Sequence, residues 1–231
     1  MDPLAGSPWS APRTVAGFAR SPPNTRLMQV AERELARLGP GRGRALDLGC
    51  GAGRNAAPLA RMGWEVVGLD LSWPMLSAAA ERGRVEPPAG YVQLVQAPMD
   101  ALPLQDRSVN LVIAHGVWNL ARSTAEFRRA LGEARRVAMP GALLFVFTFS
   151  RHTLAATSAP VPGEAFVFTQ FSGTPQCFLT EGQLVAELDS AGFGPDGHVP
   201  LVEHNLPRPG TLGIGAPVIY EGGFRVRDPR S

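Results

Sequence analysis

The stretch Leu46-Asp47-Leu48-Gly49-Cys50-Gly51-Ala52-Gly53-Arg54-Asn55 places three glycines within five residues, directly behind an apolar run. The run reads as a short buried strand over residues 45–48, and the residues from Asn55 onward read as a helix. A strand that feeds a glycine turn and then a helix delivers a ligand to the C-terminal edge of its sheet. Glycines at that point let backbone approach the ligand with no Cβ in the way. A second strand candidate, residues 65–69, closes on Asp70, nineteen residues after Gly51.

The rest of the chain repeats this rhythm. Residues 1–23 are rich in Pro, Ser and Gly and read as a mobile lead-in carrying Trp9 and Phe18. Asn24 caps a helix whose Leu27, Val30, Leu35 and Leu38 share a face, stopped by Gly39-Pro40. A helix over 55–62 ends at Gly63, and Ser72 caps another that runs to Arg82. Strands are expected over 91–95, 109–114 and 142–149, the last entered through Pro140-Gly141. Ser123 with Glu126, and Thr180 with Gln183, form capping boxes for two later helices. Strands alternating with helices imply an α/β fold: a parallel sheet with helices on both faces. Residues 24–150 form the core of a single 231-residue domain and 151–178 an insertion or lid over the sheet edge. Residues 179–231 supply a helix and two strands, over 198–203 and 216–221.

Composition narrows the function. Hydrophobic residues make up 45% and charged residues 18%, enough for a core and too few charges for a disordered chain. The net charge of +2 attracts nucleic acid weakly, and every basic residue apart from histidine is an arginine. Two cysteines, Cys50 and Cys177, make neither a disulfide framework nor a metal site. The N-terminus lacks the basic and apolar regions of a signal peptide, and no apolar run reaches the roughly 18 residues of a membrane span. These features point to a cytoplasmic protein with no membrane partner.

The glycine pattern also restricts the ligand. A dinucleotide fingerprint needs glycine where Arg54 stands, and a phosphate-binding loop of the G-x-x-x-x-G-K-S/T type needs a lysine the chain does not have. A carboxylate at the position of Asp70 accepts hydrogen bonds from ribose hydroxyls. Asp47 adds a second acid beside the turn, which repels a phosphate and favours a ligand bearing an ammonium and a sulfonium.

At these residues the chain resembles the class I S-adenosylmethionine-dependent methyltransferases of the small-molecule type. The pattern D-x-G-x-G-x-G is Asp47, Gly49, Gly51 and Gly53, and the resemblance is strongest over residues 45–149. It implies a Rossmann-like, seven-stranded, mostly parallel sheet whose last strand is antiparallel. It also implies S-adenosyl-L-methionine as cofactor, with S-adenosyl-L-homocysteine as product. By the resemblance, Asp47, Gly49, Cys50, Gly51 and Gly53 bind the cofactor, with backbone at Gly49 and Gly51 facing the methionine part, Asp70 holding the ribose, and Leu71 and Met75 lying against adenine. The customary adenine-binding acid of the third strand falls on Pro98, a departure that leaves the amide of Met99, or Asp100, to serve the ring. The fourth strand ends in Ala114-His115-Gly116-Val117-Trp118-Asn119, where the family performs methyl transfer. A shorter match, G-x-G-R-N with Phe178–Leu184, is similar to tellurite-resistance methyltransferases.

Transfer from a sulfonium is an in-line displacement governed by alignment and desolvation. His115 reads as a general base, a pocket wall or a core residue, and Arg54 and Asn55 as donors to the cofactor carboxylate or as surface residues of a first helical turn. Trp9, Phe18, Trp118, His152 and Phe168 are substrate-side candidates, each with an ordinary packing or surface reading beside it. Arg128-Arg129 and Arg135-Arg136 form a solvated helix face or an RNA-facing stripe. The expected reaction is methylation of a small molecule. The competing readings are methylation of RNA or protein, and a non-catalytic cofactor-binding or assembly protein.

Overall fold

A computed structural model describes residues 2–39, 41, 43–85, 91–206 and 216–227. The lead-in is not featureless. A 3-10 turn, Pro8–Ser10, precedes helix α1 (Pro12–Arg20), which Pro12 opens with the φ that proline fixes. Helix α2 (Thr25–Leu38) starts where the Asn24 side chain accepts from the Leu27 amide at 2.8 Å. Pro40 of the expected stop signal lies outside the described residues. Then follow β1 (Arg44–Leu48), α3 (Ala56–Arg61), β2 (Glu65–Asp70), α4 (Trp73–Val85), β3 (Val92–Gln96), β4 (Val109–His115), α5 (Thr124–Val137) and β5 (Ala138–Phe149). Ser123 caps α5, but Glu126 turns its carboxylate to the Arg122 amide, one residue before the position a full capping box requires. The box at Thr180 and Gln183 is complete and opens α6 (Glu181–Ser190).

The insertion holds a small antiparallel pair, β6 (Val167–Phe168) with β7 (Gln176–Cys177), separate from the main sheet. After α6 come β8 (Phe193–Pro195), β9 (Val202–His204) and β10 (Ile219–Val226). The main sheet runs β3-β2-β1-β4-β5-β10-β8, with β9 also paired to β10. Strands β1 to β5 are parallel and β10 is antiparallel to β5. The sheet therefore has the expected mostly parallel order with an antiparallel end. The departure is at its edge: β8 pairs residues 224–226 of β10 and β9 pairs residues 219–221, so two short strands share the outermost position.

One face of the sheet packs under α5, α6 and the insertion, around Leu46, Leu48, Val112, Leu144, Val146 and Trp118. The other packs under α2 and α3, around Ala45, Leu111, Ile113, Phe145 and Trp64. Because side chains alternate along a strand, Asp47 shares the α2/α3 face with Ala45. The register then places His115, Phe147 and Glu221 in one row across β4, β5 and β10, on that same face and at its ligand-facing end.

Gly222 and Gly223 explain the split edge. The chain joining β8 to β9 crosses them so closely that a Cβ on Gly223 would sit 2.6 Å from the Val199 Cβ. Gly132, exposed on α5, has nothing within 4 Å. Gly223→Ala should therefore cost about 2 kcal/mol of unfolding free energy by overpacking, while Gly132→Ala should add up to about 1 kcal/mol; urea midpoints of the two variants check the contrast.

Candidate active site

The glycine turn sits at the C-terminal end of β1, and all three of its glycines have positive φ: Gly49 at 64°, Gly51 at 52° and Gly53 at 74°. Its shape is held from β2. The Cys50 amide donates to the Leu69 carbonyl at 2.9 Å, and the Gly51 amide donates to Asp70 Oδ2 at 2.9 Å. The other oxygen of Asp70 accepts from the Ser72 amide at 2.8 Å. One carboxylate thus fixes the turn and starts α4. Burial pushes its pKa up, against the backbone donors that lower it. A Cβ on Gly53 would meet the Ala79 Cβ at 3.2 Å, so this glycine lets α4 close on the turn. A Cβ on Gly51 would meet only Phe18 at 3.7 Å and the Met75 sulfur at 3.9 Å. Cys50 is buried behind the turn with its thiol pKa driven well up by burial, which makes it a packing residue.

Beside the turn, Asp47 is 1% exposed and its Oδ2 has no hydrogen-bond partner. Burial raises its pKa to about 7; the nearby Arg54 charge opposes the rise and Asp70 adds to it. Arg54 Nη2 lies 3.0 Å from both ring nitrogens of His115. No in-plane position satisfies both distances without striking the ring carbons, so the guanidinium rests on the ring face. Phe147 stacks on the opposite face, with centroids 4.1 Å apart at 11°. His115 is sandwiched, and burial followed by the Arg54 charge lowers its pKa to about 3.

Asn24 joins this layer to the far edge of the sheet. Its Oδ1 is committed to the Leu27 amide, which fixes Nδ2 as the donor. Nδ2 reaches Glu221 Oε1 at 2.6 Å and His115 Nε2 at 3.2 Å. His115 Nε2 is thus an acceptor, and the neutral ring carries its proton on Nδ1. Asn55, 3% exposed, accepts from the Asn24 amide at 3.0 Å and ties α3 to α2. Glu221 also pairs with Arg26 at 3.6 Å, and His204 Nε2 lies 3.5 Å from it. Nothing in the spacing of Asn24 or Glu221 marks them as site residues; the sequence shows Asn24 only as a helix cap.

The N-terminal segment covers the turn. Phe18 lies over Gly51 and meets Trp9 edge-on at 6.1 Å. Asp2 accepts from Ser10 Oγ at 2.7 Å and the Trp73 amide at 3.4 Å, and Ser10 meets Ser72 at 3.1 Å. Leu71 is half-buried and Met75 is buried beneath this cover. Pro98 is exposed and Met99 packs on the large core cluster. Asp100 turns away to pair with Arg129 at 3.0 Å. Ala114 is buried at the end of β4.

Several substrate-side candidates lie apart from this layer. Trp118 is fully buried against Phe127, with its indole N–H unpartnered. Phe168 is 4% exposed, with Arg151 stacked 4.9 Å over it and Phe178 against its edge. His152 Nδ1 donates to Glu203 Oε1 at 2.7 Å, and Glu203 also takes the Ser150 hydroxyl. Three of the four arginines of the α5 stripe are paired, Arg128 with Glu187 at 2.7 Å, Arg129 with Asp100, and Arg136 with Glu133 and Asp106, each at 2.7 Å; Arg135 forms no ion pair among the described residues. Among the described residues there is no cluster that can hold a metal ion and no helix long and apolar enough to cross a membrane.

Residues 46–146 match the methyltransferase domain family. A ubiquinone/menaquinone biosynthesis C-methyltransferase of Syntrophotalea carbinolica is 38% identical over 182 residues, covering 71% of this chain and 73% of that protein. A demethylmenaquinone methyltransferase of Thermus thermophilus is 33% identical, covering 80% and 75% respectively. Among solved structures, an S-adenosylmethionine-dependent methyltransferase from Methanosarcina mazei superposes with a TM-score of 0.65 at 18% identity, over 83% of this chain and 96% of that one.

The neutral, sandwiched imidazole has a direct spectroscopic consequence. Nitrogen–proton correlation spectra of the imidazoles should show His115 as the Nδ1–H tautomer throughout pH 5–8, with no titration in that range.

Proposed function

We propose, from the premise that this chain belongs to the S-adenosylmethionine-dependent methyltransferases, that it methylates a carbon of a small, electron-rich aromatic acceptor such as a quinol. The observation that carries the acceptor class is the 38% identity, over most of both chains, to a methyltransferase named for quinone biosynthesis. Phe171, exposed and edge-on to the half-buried Phe149 at the end of β5, supports it, because an open aromatic ring there can receive a flat apolar molecule.

The residues around the turn fit the cofactor. S-adenosylmethionine brings a methyl group already made electrophilic by a sulfonium, together with an ammonium, a carboxylate and a ribose. The unpartnered, buried Oδ2 of Asp47 offers a seat for the ammonium. Asp70, fixed at the end of β2, offers the ribose acceptor, with Gly51 keeping the approach free of a Cβ. Leu71 and Met75 wall the adenine side, and Phe18 closes the cleft. His115 serves as an aromatic wall with a fixed tautomer; a ring with a pKa of about 3 is a poor base near neutrality. Alignment and exclusion of water are then the main contributions of the chain.

An RNA acceptor is the competing reading. A tRNA 5-carboxymethoxyuridine methyltransferase of Escherichia coli is 30% identical over 129 residues, 55% of this chain and 48% of that protein. The pairing of three of the four α5 arginines with carboxylates opposes it, since it leaves Arg135 as the single unpaired arginine of that stripe for a phosphate backbone. Incubation with methyl-labelled cofactor, a reduced naphthoquinone lacking the ring methyl, and total RNA should move label into the solvent-extractable fraction. Label that stays with RNA and is released by nuclease would overturn the proposal.

Cofactor binding is tested separately by calorimetry with S-adenosylhomocysteine. Asp70→Ala removes an acceptor of charge-assisted hydrogen bonds and should weaken binding roughly 10- to 100-fold; unchanged affinity would refute the placement. Asp47 titrates near pH 7, so its carboxylate loses charge as pH falls. Affinity should rise between pH 6 and pH 8 by up to about tenfold, and Asp47→Asn should flatten that rise.

A further inference from the structure

We infer that Arg82, together with Arg54, forms a two-guanidinium seat for the carboxylate of the cofactor's amino-acid tail. The inference rests on the cofactor placement above and extends it to a residue that no sequence motif marks.

Arg82 stands on α4 one helical turn beyond Ala79, the residue that closes on Gly53. Its Nη2 donates to the Ser21 carbonyl at 3.2 Å, at the junction of α1 and α2. Its Nε and Nη1 are enclosed and have no hydrogen-bond partner. Arg54 stands on the other side of Gly53 and lies within reach of the Arg82 charge. Arg54 Nη2 rests on the His115 ring, and neither guanidinium forms an ion pair with a carboxylate among the described residues.

Enclosed N–H groups on a cation are costly when unpaired, and an anion brought to them recovers that cost. The anion must tolerate Asp47 and Asp70 nearby, which disfavours a phosphate and favours a single carboxylate held next to an ammonium. An amino-acid zwitterion has that charge pattern. Asp47 would face its ammonium, and the arginines flanking Gly53 its carboxylate. Ser21 fixes one donor of Arg82 and thereby couples the seat to the hinge between α1 and α2, the segment that carries the Phe18 cover.

The test compares ligands with and without the carboxylate. Wild type and Arg82→Met are titrated by calorimetry with S-adenosylhomocysteine and with 5′-methylthioadenosine, which keeps the nucleoside and sulfur but lacks the tail. Arg82→Met should weaken S-adenosylhomocysteine about tenfold or more and leave 5′-methylthioadenosine within twofold, with Arg82→Lys recovering part of the loss. Equal weakening of both ligands would assign Arg82 to holding the hinge, and no weakening of either would remove it from the site; each overturns the inference while leaving the cofactor placement standing. Failure of the wild type to bind S-adenosylhomocysteine would instead overturn the placement itself.

Discussion

The carboxylate of Asp70 holds two pieces of backbone that would otherwise be independent. One oxygen takes the Gly51 amide and the other the Ser72 amide, so the glycine turn after β1 and the first turn of α4 are set relative to each other. Much of the site follows from that bridge. It positions Gly53 where Ala79 can close on it, and Met75 beside Gly51. Burial of such a carboxylate is tolerable because backbone donors meet both oxygens.

Asp47 is the opposite case. It is enclosed, one oxygen has no partner, and the opposing charge is that of Arg54. A carboxyl pKa raised from 3.8 to about 7 means the folded state holds the proton more tightly than the unfolded chain. That destabilisation is absent below the unfolded value, grows as pH rises between the two, and above about pH 7 is on the order of 4 kcal/mol. A protein bears such a cost where function needs it, and a cationic ligand on Oδ2 would relieve it. Asp47 and Asp70 lie on neighbouring strands with contrasting environments: one carboxylate is fully served by amides, the other is waiting for a donor.

The legible parts of the sequence were those with local causes. Strand, glycine turn and helix over residues 45–62 could be read from glycine spacing and apolar runs because backbone geometry alone dictates them. The helix caps at Asn24, Ser123 and Thr180 were legible for the same reason, though Glu126 found a different amide. The lead-in was not. Its Pro, Ser and Gly content hides a helix whose stability comes from packing against α4 and from the Asp2 and Ser72 contacts, all far away in sequence. The late strand that the sequence did not mark, β8, is three residues long and exists because β10 offers it an edge. Asn24 can join His115 to Glu221 only because the sheet places β10 beside β5.

The same layer bears on what sort of acceptor the site can serve. His115 lies between a guanidinium and a phenyl ring, with its accepting nitrogen already engaged by Asn24. Protonating that ring would put two cations in contact in a buried place, so its basicity is spent before any substrate arrives. An acceptor that must lose a tightly held proton before attack would find no help from it. A quinol carbon asks for less, because the ring oxygens already push electron density onto it and the proton is lost only after the new bond has formed. A site that aligns, encloses and stays unprotonated is suited to that order of events, and poorly suited to activating an alcohol or an amide.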